Sequence, residues 1–160
     1  MALASLITDI ITAIFTVIPI LFAVYTYRKD VKRKAQQDTI EAYQQLQKEA
    51  LSHISRLKPS EVRSFADKRT SEEYKQFTEY LMAIECFCIG LDQGIYDFDV
   101  FFSLARDYFD DEKGPIRPTI RPMLEVKNRG KNKYYQSLEK IWNRMEERKT
   151  QIKQMTKSIL

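Results

Sequence analysis

The chain has 160 residues, 44% apolar and 30% charged, with a formal net charge of +4. That size allows one domain, or one domain plus an anchor, and the composition excludes a disordered or low-complexity chain. Two Cys and one His exclude a disulfide scaffold and argue against a structural metal site, so no metal or cofactor is expected.

The charge is unevenly divided. Residues 1–27 hold one charged residue, Asp9, and residues 10–27 are 18 consecutive uncharged positions rich in Ile, Phe, Val, Leu and Thr. A helix crosses a bilayer with about 20 mostly apolar residues, so this run predicts a membrane span rather than a core helix. No Lys or Arg precedes residue 28 and no small-residue cleavage site follows the run. The segment is therefore expected to stay on the protein rather than leave as a signal peptide. Tyr25 and Tyr27 suit an aromatic belt. Arg28, Lys29, Lys32, Arg33 and Lys34 then form a basic stop that places the following body in the cytoplasm and the N-terminus outside, in a single pass. The domain reading is an anchor with its basic stop over 1–34 and a cytosolic helical domain over 35–160.

Within the span, Pro19 is expected to kink the helix. Thr8, Thr12 and Thr16 recur every fourth residue beside Asp9. This small polar stripe suits helix packing in lipid. Asp9 either reaches the interface or, with the Thr ladder, faces the axis of an oligomeric bundle. One span cannot enclose a pore alone.

The body reads as all-α. Residues 35–57 contain no Gly or Pro and carry Tyr43, Leu46, Ala50, Ile54 and Leu57 at spacings of three and four. Lys58-Pro59 ends that helix, and Ser60 caps a short one over 61–67. Thr70 and Glu73 read as a capping box for a helix over 71–91 with the stripe Tyr74, Phe77, Leu81, Ile84, Cys88 and Leu91, stopped near Gly94. Cys86 and Cys88 lack metal or redox spacing and read as buried thiols. Asp97 caps a helix over 98–109. Three prolines between 115 and 122 predict an extended or turned segment, then a short helix with Pro122 in its first turn, and a loop at 128–132. The last helix, about 133–159, carries Leu138, Ile141, Met145, Ile152, Met155 and Ile159 in a heptad broken only by Arg148, with Trp142 beside the seam. It is expected to pack antiparallel on the 35–57 helix or to self-associate. No segment reads as a strand.

Charge by segment locates the chemistry. Residues 28–34 net +4; residues 35–112 hold 8 basic and 16 acidic residues; residues 113–133 net +6. The first cluster is explained by topology and contact with anionic headgroups. In the second, Arg alternates with Pro, and Tyr134 and Tyr135 follow. Arg forks on a stiff backbone with rings nearby suit a phosphate-bearing ligand whose bases stack. Arg117, Arg121, Lys127, Arg129, Lys131 and Lys133 are the candidate phosphate ligands, and Tyr134 or Tyr135 the stacking ring. The alternative is that these charges answer the acidic segment 97–112 within the fold. His53 has no nucleophile in motif context, and no phosphate-binding Gly-rich loop is present, so an enzyme is not expected.

The sequence from Tyr80 to Leu91, with Gly94-Ile95, a Tyr/Phe-rich helix, Ile120-Arg121-Pro122, and Tyr135, Glu139 and Trp142, resembles a family of small bacterial membrane-anchored helical proteins of unknown function. The resemblance covers roughly residues 5–145, and the heptad beyond Met145 departs from it. The layout is also similar to CRISPR-associated membrane effectors, which join an N-terminal span to a helical domain that binds cyclic oligoadenylate. That likeness implies a bacterial inner-membrane protein of antiphage defence. It further implies a homo-oligomer, tetramer favoured, that perturbs the membrane when ligand binds. DNA is not expected as a partner. The alternatives are a membrane-tethered scaffold for a protein partner and a subunit of a larger membrane complex.

Overall fold

The computed structural model describes residues 2–109, 114–128 and 134–159, with side chains described between Phe15 and Ser158. Among these residues the fold is all-α. Helix α1 runs from Ala2 to Leu46, passes into a π turn at Gln47–Leu51 and closes with a single turn, α2, at Ser52–Ile54. Then come α3 (Pro59–Ala66), α4 (Glu72–Asp92), α5 (Phe98–Phe109), α6 (Ile116–Lys127) and α7 (Gln136–Ile159). At 1.5 Å per residue, α1 is about 67 Å long, and it runs through Pro19 without ending. No helix among the described residues is long and apolar enough to cross a membrane. The apolar run 10–27 lies on α1, and its side chains are described only from Phe15 onward.

The second half of α1 and the later helices enclose the core. Tyr43, Leu46, Ala50 and Ile54 are buried as their spacing implies. The π turn adds Leu51 to the same face, because a wider turn brings one more residue inward than a 3.6-residue repeat allows. The α4 stripe is buried from Tyr74 to Leu91. Tyr43, Phe87 and Phe101 meet at centroid distances of 5.4–6.3 Å, a range in which ring pairs add to burial. Helix α3 lies mainly on α6, and α7 lies mainly on α4 with α5 beside it. The expected antiparallel pairing of the last helix with 35–57 is thus replaced by packing on α4. Leu138, Ile141 and Met145 are buried, whereas Ile152 and Met155 are exposed: the seam leaves the body after two turns.

Several helix ends differ from their sequence reading. Ser71, not Thr70, caps α4, its Oγ accepting from Tyr74 N at 3.1 Å. Helix α3 starts on Pro59 rather than behind a Ser60 cap, and Glu61 accepts from Lys58 N at 2.7 Å. The proline-rich stretch is helical, not extended. Pro115 is the cap residue and Pro118 falls in the first turn, where amides lack an intrahelical partner anyway. Only Pro122 lies in the interior. Thr119, buried, donates to Pro115 O at 2.7 Å and so holds that first turn. Cys86 is exposed rather than buried, whereas burial of Cys88 pushes its thiol well above the usual range.

Two long-range polar contacts fix the body's ends. The Glu85 carboxylate on α4 accepts from Ser137 N (3.0 Å) and Leu138 N (2.9 Å), capping α7 from outside it. An anion there satisfies two orphan amides and faces the positive end of the helix dipole. Thr39, fully buried on α1, accepts from Asp97 N at 2.7 Å and donates to Ala35 O at 2.6 Å. Asp97 in turn caps α5 as expected, accepting from Asp99 N and Val100 N.

Candidate functional site

The described part of the basic segment 113–133 forms one wall of a groove of about 680 Å³ between α6 and α7. That volume lies within the range of small-molecule sites. The regular α6 helix places Arg117 and Arg121 one turn apart on the groove side, with Glu125 a turn further and Asn128 at the end. Helix α7 contributes Glu139, Trp142 and Asn143.

The site's geometry has a fixed half and a loose half. Arg117 is half-buried, and its guanidinium carbon lies 5.0 Å from the centroid of the Trp142 ring, within cation–π range. Trp142 is buried, and its Nε1 has no hydrogen-bond partner among the described residues. Arg121 is 77% exposed and pairs with Glu125 at 3.3 Å. An exposed pair one turn apart contributes about 0.3–0.5 kcal/mol, so a phosphate oxygen can compete for Arg121. Asn128 Oδ1 accepts from Tyr134 N at 2.8 Å, tying the end of α6 to the chain ahead of α7.

Of the other candidate ligands, the described ones, Lys127, Tyr134 and Tyr135, do not line the groove. Lys127 extends to α4, its ammonium 4.9 Å from the Tyr74 ring centroid. Arg129, Lys131 and Lys133 lie outside the described residues. Tyr134 is on the surface, but Tyr135 is buried at φ 61°. A non-glycine residue rarely adopts that backbone; here the ring sits in the core ahead of α7, so Tyr135 is an anchor of the fold. Burial pushes its hydroxyl up to about 12, with Tyr74 next in effect. Tyr134 alone is placed to stack on anything outside.

Of the acidic segment 97–112, residues 110–112 lie outside the described residues. Asp99 pairs with Arg148 of α7 at 3.3 Å, and Arg121 pairs on its own helix. His53, exposed, stacks on Tyr80 with centroids 5.3 Å apart. The described lining of the groove has no Ser, Thr, Cys, Lys or His. It offers two guanidinium groups, two amides and an indole, opposed by two carboxylates. Sequence reading missed Trp142 as a site residue. Its signal was available, since Trp142 precedes Asn143 on the face just beside the Leu138–Met145 seam.

In the membrane set, Thr16 and Pro19 lie on α1, and the side chains of Asp9 and Thr12 are outside those described. Arg28, Lys29, Lys32, Arg33 and Lys34 are all exposed on α1.

These features define a small all-α protein with a long N-terminal helix and a groove between its last two helices. Residues 7–145 match the model of a family described as Domain of unknown function (DUF4760), and the chain belongs to that family. The match covers the described lining of the groove and ends at Met145, the last buried apolar residue of α7 among those described. Comparison with curated proteins gave no match, and neither did comparison with solved structures.

Proposed function

We propose that the chain is a membrane-anchored helical effector that senses a phosphate-bearing ligand, such as a cyclic oligoadenylate, in bacterial antiphage defence. The observation that carries the reading is the shared groove. Arg117 and Arg121 line it one turn apart, and Arg117 is stacked on the buried Trp142. Arg forks bind phosphate oxygens in pairs, which a point charge cannot do. The groove takes part of such a ring, and a second copy would cover the rest, consistent with an oligomer. In this reading binding, not catalysis, is the activity.

The anchor is the N-terminal half of α1. Every large apolar side chain described between Phe15 and Tyr27 is exposed, Phe15 at 76% and Phe22 at 70%. A continuous apolar surface of that extent needs a cover, and in this reading the cover is the bilayer. The expected topology is N-terminus outside and body in the cytoplasm of the bacterial inner membrane.

Calorimetric titration of the full chain in detergent with cyclic oligoadenylates tests the sensing half. Saturable binding at micromolar ligand is expected, weakened by about 2 kcal/mol or more in Arg117→Gln/Arg121→Gln. Absence of binding sinks it. The scaffold alternative is favoured by the exposed Ile152 and Met155 on the free end of α7. It expects Arg117→Glu/Arg121→Glu to alter partner pull-down with no nucleotide bound by either form.

A further inference from the structure

A second groove, of about 360 Å³, opens where α1 passes the turn between α4 and α5. Tyr27, Arg28, Val31 and Lys32 line its α1 side, and Tyr96 and Asp97 line the other. Arg28 and Lys32 are one turn apart, so both cations face one space. Neither has a hydrogen bond or ion pair among the described residues. Three cations of the body differ: Lys140 pairs with Asp92, Arg148 with Asp99, and Arg144 lies over Phe98.

Asp97 offsets one of the two positive charges but makes no ion pair with either cation, so the space keeps a net positive charge. Its carboxylate is committed to the first turn of α5, where Oδ1 accepts two amides at 2.9 and 3.1 Å. The wall it belongs to is also held rigidly. Thr39 binds Asp97 N from α1. Gly94, at φ +73°, turns the chain so that Ile95 N reaches Gly90 O at 2.9 Å and Gly94 N reaches Leu91 O, the paired bonds of a Schellman end. The Tyr96 ring then stacks on Phe87 with centroids 5.0 Å apart. A cationic space with a preformed wall binds without first ordering itself.

The position of this groove along α1 identifies the ligand. The exposed apolar surface from Phe15 to Tyr27 ends where the groove begins. Given the reading of 10–27 as a span, on which this step rests, Arg28 and Lys32 stand at headgroup level. We propose that the groove seats the headgroup of one anionic phospholipid, its phosphate oxygens between Arg28 and Lys32 and its first methylene groups against Tyr27 and Val31. A bound lipid would then couple the membrane to the α4–α5 turn through the Thr39–Asp97 bond.

The test is native mass spectrometry of the full chain released from nanodiscs of mixed phosphatidylcholine and phosphatidylglycerol. The wild type is expected to retain phosphatidylglycerol in preference. Arg28→Gln/Lys32→Gln is expected to lose about tenfold in occupancy, and Lys29→Gln/Arg33→Gln, equal in charge but round the helix, to stay within about twofold. Equal loss in the two doubles, or loss in neither, overturns the seat. Displacement of the lipid by millimolar inorganic phosphate assigns the groove to a soluble phosphate and overturns the lipid. The span is read separately, by alkaline carbonate extraction of the chain from vesicles. Release into the supernatant overturns the span and the proposal together, whereas retention with equal loss in both doubles overturns the seat alone.

Discussion

Two basic clusters occur in this chain, and the fold treats them oppositely. Around 113–133, the described cations are engaged: Arg117 over Trp142, Arg121 on Glu125, Lys127 over Tyr74. Around 28–34, Arg28 and Lys32 face a groove with no protein partner among the described residues. Composition scores the two alike. What separates them is whether the neighbouring elements bring rings and carboxylates within reach. A cation engaged with a ring is aimed and partly desolvated, which favours a specific ligand. A pair of cations left unpaired in a groove keeps its charge open to an abundant anion.

Substitutions at the fold's two polar locks separate these regions. The largest effect is expected for Glu85→Ala, which leaves two amides at the start of α7 without their anion. About 3 kcal/mol of stability should be lost in urea unfolding, with the α6–α7 groove loosened and the α1 groove spared. Gly90→Ala comes next. An added Cβ would stand 2.5 Å from the Tyr96 ring, so the ring must leave Phe87 at a cost of about 2 kcal/mol. The α1 groove should be the one disturbed, read as loss of retained phosphatidylglycerol. Thr39→Val removes the acceptor of Asp97 N and should cost about 1–2 kcal/mol, again at the α1 end only.

Alkaline pH probes the tyrosines packed inside. Burial, the main cause, pushes Tyr43 and Tyr135 up to about 12. The folded state then holds protons that the unfolded state releases near 10. Their stabilisation is full below pH 10 and is lost as pH rises from 10 to 12. Tyr135→Phe should flatten that fall in a pH series of thermal melts. Tyr43→Phe should flatten it too, with neutral-pH stability unchanged or raised by up to about 1 kcal/mol, because the Tyr43 hydroxyl is buried without a hydrogen-bond partner among the described residues. Smallest of all is Arg121→Ala. Its exposed ion pair should be worth under about 0.5 kcal/mol to the fold, so any larger loss of ligand binding belongs to the site.

Helix positions were legible because burial repeats at the helical period. Tyr74, Phe77, Leu81, Ile84, Cys88 and Leu91 are all buried, as their spacing implied. The Asp97 cap was legible because a cap acts within three residues. Glu85 and Thr39 were not, since their partners lie more than 50 positions away and nothing local marks them. The α6 helix was misread because proline count, not proline position, was weighed: Pro118 occupies the first turn, where a missing amide hydrogen loses no intrahelical bond. That error also hid the groove. Arg117 and Arg121 share a wall only because the backbone between them is helical. Tyr134 and Tyr135 could not be told apart as the stacking ring, because adjacency says nothing of direction; a positive φ accompanies burial of the Tyr135 ring.

Trp142 is the one tryptophan in the chain and lies in the α6–α7 groove, so its emission reports that site alone. The most direct measurement is a titration of the full chain with a cyclic oligoadenylate followed by Trp142 fluorescence. The account expects a saturable change that is abolished in Arg117→Gln/Arg121→Gln and kept in Arg28→Gln/Lys32→Gln. No change in the wild type, or equal loss in both doubles, would contradict it.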